Sequence, residues 1–291
     1  VIEGKVGPHR EAPRDMLKDQ FFQNKHGLWM FHSKFWDTKF GSPKGIVIIL
    51  HGYGEHCARF QHVAEYLNKQ GFVVFAMDHQ GFGRSEGDRA HVADFFDYVD
   101  DVMEFMDTVV YRENKEFQEL PQFLMGHSLG GLVAIHTALK CKDKKSPAHR
   151  VNGVILSAPA VDVDPAKKTW YIRLIGTIFQ LVAPKVVLVS FPAHESTSLQ
   201  QVTKQAEFDP LNYHGSVRIG QGMQLLRGAD LAVEHAEAFD APVLILHGKL
   251  DKHADIRGSR TFLSKVSSKD KTLCELENAK HAPHQDVFEI R

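Results

Sequence analysis

A mostly parallel α/β sheet with helices on both faces and one inserted cap is the architecture this sequence predicts. Three observations carry it. Strand and helix patterns alternate over the first 157 residues, apolar residues crowd together and break that rhythm between 160 and 217, and the alternation resumes at Val243. The chain therefore divides into a core segment over 1–159, a cap over 160–217 and a second core segment over 218–291. Its 291 residues suffice for one large domain carrying such an insertion.

Residues 1–18 are polar and expected to be irregular. Phe21-Phe22 and Leu28-Trp29-Met30-Phe31, separated by Lys25-His26-Gly27, predict a hairpin of antiparallel edge strands. From Ile46 to Leu50 runs a dense Ile/Val stretch, as expected of a strand covered on both faces. A helix is expected over 58–69, where Phe60, Ala64 and Leu67 form one apolar stripe. Gly71 to Met77 reads as a second buried strand, which enters the glycine-punctuated loop Asp78 to Ser85. The three- and four-residue spacing of Phe96, Val99, Val102, Phe105, Met106 and Val109 predicts a helix over 95–112. Next come a strand at 121–126, a helix at 129–140, a charged linker at 140–150 and a strand at 151–156. Beyond the cap, a strand at 243–246, a helix near 256–264 and a short strand at 271–276 complete the core.

Within the cap, Trp170, Tyr171, Ile172, Leu174, Ile175, Ile178 and Phe179 crowd one stretch that continues to Val189. Its length suggests a membrane span, but Arg173, Gln180, Pro184, Lys185 and Pro192 interrupt it. A cap explains it better, with one apolar face over the active site and another available to lipid.

Lys plus Arg is 35 and Asp plus Glu is 36, so the net charge of −1 makes no electrostatic case for nucleic acid. Cys57, Cys141 and Cys274 form no Cys-x-x-Cys pair and no disulfide framework, which favours a reducing, cytoplasmic setting and gives no zinc spacing. The first thirty residues lack the basic, apolar and small-residue succession of a signal peptide. With 18 histidines present, any one of them points to chemistry only by its setting.

Such a setting exists at Gly126-His127-Ser128-Leu129-Gly130, between a strand end and a helix start. A serine there sits on a tight turn with its hydroxyl exposed, and the glycines let the turn close. To attack a carbonyl, the hydroxyl needs a histidine to take its proton and a carboxylate to orient that histidine. In α/β sheets these groups follow in the order Ser, Asp, His from loops at the carboxyl ends of strands. Ser128 fits the first role. Asp251, just past the 243–246 strand, fits the second; Asp255 is the nearby alternative but lies where it would cap the next helix. For the base, His281 lies closer to the preceding strand than His284, where Pro283 suggests a helix start. Two backbone N–H groups, of Leu129 at its helix start and of Tyr53 after the 45–50 strand, are placed to hold an oxyanion. Gly81-Phe82-Gly83 lacks the Gly-x-Gly-x-x-Gly spacing and reads as a structural turn.

Several ordered segments then resemble the monoacylglycerol lipase family of the α/β-hydrolases. They are His51-Gly52-Tyr53-Gly54-Glu55-His56, Asp78 to Gly87, Gly126 to Gly131, Asp209-Pro210-Leu211, Leu246 to Asp251 and Glu277 to His281. The resemblance implies the α/β-hydrolase fold, a triad of Ser128, Asp251 and His281, and an oxyanion pair of Tyr53 and Leu129. It further implies that Glu55, Arg59 and His284 hold the glycerol end of the substrate, and that the cap is a membrane-facing lid over an acyl tunnel. Leu129 stands where this family commonly carries methionine, and by the resemblance the last family helix is expected to be cut short at Arg291. The expected activity is hydrolysis of a fatty-acid monoacylglycerol without metal or organic cofactor, with a lipid ester as partner and peripheral membrane contact through the cap. Lysophospholipase, broad carboxylesterase and a catalytically silent binding scaffold are the rival readings.

Overall fold

A computed structural model of the chain describes residues 18–142, 144, 146–161, 186–189 and 192–286. The apolar stretch expected from Trp170 into the 180s lies outside these up to residue 185. The eight-stranded sheet is built from β1 (Phe21–Gln23), β2 (Trp29–Phe35), β3 (Gly45–Leu50), β4 (Phe72–Met77), β5 (Gln122–His127), β6 (Gly153–Ser157), β9 (Val243–Gly248) and β10 (Lys271–Leu276). Its spatial order is β1-β2-β4-β3-β5-β6-β9-β10. Only the β1–β2 and β2–β4 pairs are antiparallel, so the expected hairpin forms one edge of an otherwise parallel sheet. This is the α/β-hydrolase architecture. Two further strands, β7 (Val187–Val189) and β8 (Val217–Arg218), pair separately, and β8 straddles the boundary expected at 217.

The continuous apolar runs follow from burial on both faces. Alternate residues of a strand point to opposite sides, and β3 feeds two separate cores. Ile46, Ile48 and Leu50 join one with Val73, Phe75 and Met77; Val47 and Ile49 join the other with Val74 and Ala76. Helix α1 (Gln61–Lys69) covers the second core through Ala64, beside Phe60 of the preceding 3₁₀ turn Cys57–Phe60. On the first face lie α2 (Phe96–Phe105), α3 (Leu129–Lys142), α5 (Ile219–Glu234) and α6 (Ile256–Lys265). Two short helices, α4 (Gln200–Phe208) and α7 (Pro283–Asp286), complete the set. No described helix is long and apolar enough to cross a membrane.

Two elements differ from expectation. The helix predicted over 95–112 is α-helical only to Phe105; Met106–Glu113 winds as a π-helix. The wider winding keeps Met106, Val109 and Val110 buried, and Asn114 Nδ2 donates to the Val109 carbonyl at 2.7 Å. Helix α5 has no counterpart in the sequence reading, because glycines at 220, 222 and 228 depress helix propensity. Tertiary contacts stabilise it instead. Gln221 and Gln224 accept from the Val92 and Phe95 N–H groups at 3.0 Å each, and His136 Nε2 lies 2.8 Å from the Gly228 carbonyl.

Parallel register brings the carboxyl ends of five strands level. Leu50 pairs with Gly126, His127 with Ser157, Ser157 with Leu246, and Gly248 with Leu276. Loops leaving these ends converge on one side of the sheet, where such sheets place their sites.

Burial also sets a pH dependence at the other side of α2. Asp101 is 1% exposed, accepts from Asn24 Nδ2 at 2.7 Å, and is pushed up to about 8 by desolvation. Below that value the folded protein holds a proton that the unfolded chain releases above its ordinary carboxylate range. Stability contributed by this group is therefore present below about pH 4 and is lost as pH rises through about 8. Asp101→Asn is expected to raise the urea midpoint at pH 9 relative to wild type and to flatten its fall between pH 6 and 9.

Candidate active site

Ser128 occupies the single residue between β5 and α3, with φ of +51°. That left-handed conformation is unfavourable for a non-glycine residue and persists only where its surroundings hold it. Three backbone hydrogen bonds do so. The Ser128 N–H donates to the Ser157 carbonyl at 3.0 Å, and its carbonyl accepts from Leu132 and Ala160 at 3.1 Å. Behind the turn, α3 packs so tightly on β3 that a Cβ at Gly130 would stand 2.1 Å from the Leu50 carbonyl oxygen. Glycine is required there by the close approach.

Asp251 leaves the end of β9 and is buried, its side chain 1% exposed. One carboxyl oxygen, Oδ1, accepts from the His253 and Ala254 N–H groups at 2.7 and 3.0 Å. The other, Oδ2, lies 2.7 Å from His281 Nδ1 and 3.1 Å from His247 Nε2. Desolvation alone would raise its pKa, but the adjacent His281, the bonds from His247 and His281, and the Ala254 amide outweigh it and hold the carboxyl far below the usual range. Asp255 instead caps α6, accepting from the Arg257 N–H at 2.8 Å. The loops of Asp251 and His281 are pressed together: Leu250 N–H donates to the Ala279 carbonyl at 3.1 Å, and a Cβ at Gly248 would fall 2.2 Å from the Ala279 and Lys280 carbonyl oxygens.

His281 is 7% exposed, and its ring centroid lies 4.8 Å from that of His127, the residue before Ser128. His253 packs edge-on against its other side at 5.0 Å. His284 does not contact Asp251. It stacks on Phe60 at 4.7 Å, and its Nδ1 lies 3.1 Å from Ser157 Oγ. Burial drives its pKa well below the ordinary imidazole value, and its Nε2 is buried with no hydrogen-bond partner among the described residues.

The two backbone donors come from elements in contact. At its helix start, the Leu129 N–H has no preceding turn to donate to. Tyr53 lies inside the turn closed by the Glu55 N–H to Gly52 carbonyl bond of 3.3 Å, which leaves the Tyr53 N–H out of the turn's own bonding. Glu55 Oε2 accepts from the Gly52 N–H at 3.2 Å and so fixes that turn. Burial would raise the Glu55 pKa; His127, Arg59 and His51 together with the Gly52 N–H lower it below the ordinary value. Arg59 Nε stands 3.6 Å from Glu55 Oε1, and its Nη1 stands 4.0 Å from Asp209 Oδ2. The same Asp209 oxygen is 2.8 Å from His56 Nε2.

The eight residues singled out in the sequence thus fall on loops, short turns and helix starts at the carboxyl end of the sheet. Asp251 and His281 are bonded to each other beside the Ser128 turn; Glu55 and Arg59 form a charged pair beside the Tyr53 turn, with His284 behind His127 at a ring distance of 4.6 Å. Sequence reasoning gave no role to His247, Asp209 or His253. His247 carried the available signal, four residues before Asp251 at a strand end.

Known proteins are similar to this chain in sequence and fold. The family model described as serine aminopeptidase, S33 matches residues 41–287. Monoglyceride lipases of Rattus norvegicus and Homo sapiens are 31% and 32% identical over 289 residues, spanning 97% of this chain and 91% of theirs. The monoacylglycerol lipase of Paleococcus ferrophilus superposes with a TM-score of 0.72 at 30% identity, over 88% of this chain and 92% of that one. A soluble variant of the Saccharomyces cerevisiae monoglyceride lipase, solved with a substrate analog, shares the fold at a TM-score of 0.76 and 22% identity, over 95% and 90% of the two chains. With matches of this extent, the chain belongs to the monoglyceride lipase family of the α/β-hydrolases.

Proposed function

We propose that this chain hydrolyses the fatty-acid ester of monoacylglycerols through an acyl-enzyme on Ser128. The observation that carries the reading is the 2.7 Å pair of His281 and Asp251 beside a serine held in a left-handed turn. His281 takes the hydroxyl proton as Ser128 attacks the ester carbonyl, and Asp251 fixes the imidazole and stabilises its charged form. Backbone N–H groups of Tyr53 and Leu129 receive the oxyanion. His281 then protonates the departing glycerol oxygen, and water repeats the sequence on the acyl-enzyme.

The names of the similar lipases support the substrate, and so does the charge around Arg59. A lysophospholipid would require free positive charge for its phosphate. Arg59 is 8% exposed and faces two carboxylates, which suits hydroxyl recognition better than phosphate binding. Glu55, Arg59 and His284 accordingly hold the glycerol end in this reading. Residues 160–217 form the cap, and the exposed Val187 and Phe208, at 63% and 83%, support contact of that segment with lipid.

Ser128→Ala should lower turnover of a long-chain monoacylglycerol by at least ~10⁴-fold, and Asp251→Asn by about 10³- to 10⁴-fold, with thermal midpoints near wild type. Steady-state assays of the purified variants check both, and unchanged turnover of Ser128→Ala rejects the mechanism. A second comparison tests the head-group assignment. Arg59→Met and Glu55→Gln should each lower kcat/KM for monoacylglycerol roughly 10-fold more than for an aryl ester of the same fatty acid. Equal losses on the two substrates would remove glycerol recognition from this pair.

A further inference from the structure

Beyond the triad, the residues flanking His281 are tied to residues 194–198, within the proposed cap segment. The backbone of Ser196 accepts from the Ala282 N–H at 2.7 Å. Lys280 Nζ donates to the His194 and Thr197 carbonyls at 2.9 and 3.2 Å. The centre of this contact is Asp286, which is 2% exposed. Its Oδ1 accepts from Thr197 Oγ1 at 2.5 Å and from the Ser198 N–H at 3.0 Å, while its Oδ2 accepts from the Lys280 N–H at 3.1 Å. One buried carboxyl group therefore joins two chain segments, and one of its three donors is the amide immediately before His281.

We propose that Asp286 is a positioning residue for His281: it clamps the histidine loop to the 194–198 segment and so sets where the imidazole sits. The inference rests on the reading of His281 as the base. Asp251 grips Nδ1 and the His127 and His253 rings flank the imidazole, but none of these contacts fixes the backbone that carries it. The bonds at Lys280 and Ala282 anchor the backbone on both sides of His281. The Lys280 N–H is held by Asp286 directly, whereas the Ala282 N–H depends on Ser196 staying in place, and Asp286 holds that segment through Thr197 and Ser198. Reach of the base is thereby linked to the seating of residues 194–198. An error of about 1 Å in such a group costs up to roughly 100-fold in rate.

Asp286→Asn separates this role from general packing. Its amide retains shape but supplies a single acceptor oxygen for three donors. With that oxygen turned to Thr197 and Ser198, its NH₂ group opposes the Lys280 N–H. Turnover would be measured per active site, titrated to end point with a fluorophosphonate, on both a long-chain monoacylglycerol and an aryl ester. The expected result is a fall in kcat of about 10- to 100-fold on both substrates with KM within twofold, and a shifted acid limb in the pH profile of kcat/KM. Turnover per titrated site within twofold of wild type, with an unmoved acid limb, would overturn the proposal.

Should Asp286→Asn not fold, Thr197→Val and Thr197→Ser decide the matter. Valine removes one donor to Oδ1 and should lower kcat several-fold, whereas serine keeps the hydroxyl and should restore it; equal behaviour of the two overturns the clamp. Serine-dependent turnover of the aryl ester alone would remove the monoacylglycerol reading and leave this test intact. Absence of Ser128-dependent turnover of either ester would overturn the hydrolase reading and the clamp together.

Discussion

Everything at this site depends on how closely α3 packs against the end of β3. Ser128 can hold its left-handed conformation, at a cost on the order of 1–3 kcal/mol, only because the turn is fixed from both ends. On one side, β5 is locked between β3 and β6 in parallel register. On the other, α3 is buried almost all round from Leu129 to Ala138, so it cannot slide away to relieve the turn. Gly130 is the contact point, with no room for a side chain beside the Leu50 carbonyl. The same contact sets Leu129 next to the loop that carries Tyr53. The proposed nucleophile and oxyanion donors are thus placed by one packing constraint.

Where burial is continuous, the sequence carried the structure well. Strands β3 and β4 feed both cores and show as unbroken apolar runs, and β1–β2 shows its turn at Lys25-His26-Gly27. The meeting of Asp251 and His281 was readable because strand ends mark where loops converge. Less visible were features that arise from distant partners. Asp209 meets His56 across 153 positions, and Asp286 meets Thr197 across 89, with no local pattern to announce either contact. Helix α5 was hidden by its glycines, and the π-helix after Phe105 by a periodicity that resembles an ordinary helix. His284 matched a head-group position by resemblance, whereas its stacking on Phe60 and bond to Ser157 emerge only in three dimensions.

The electrostatics around His281 follow from burial acting on its neighbours. Desolvation lowers His127 and His253 to about 4 and takes His284 well below its ordinary value, so all three are neutral near pH 7. Three rings can therefore crowd the same region without mutual repulsion. The carboxylates behave in the opposite way, since Asp251 and Glu55 are held ionised by the groups that face them. Fixed negative charge thus lies on the Nδ1 side of His281, flanked by neutral imidazole rings. In the proposed mechanism an imidazolium at His281 would face the Asp251 carboxylate, with neutral rings as its ring contacts. Such a setting keeps the neighbouring rings from titrating alongside His281 in the proposed proton transfer. The crowding of histidines, which in the sequence made each one weak evidence, becomes in the fold the means by which one of them is set apart.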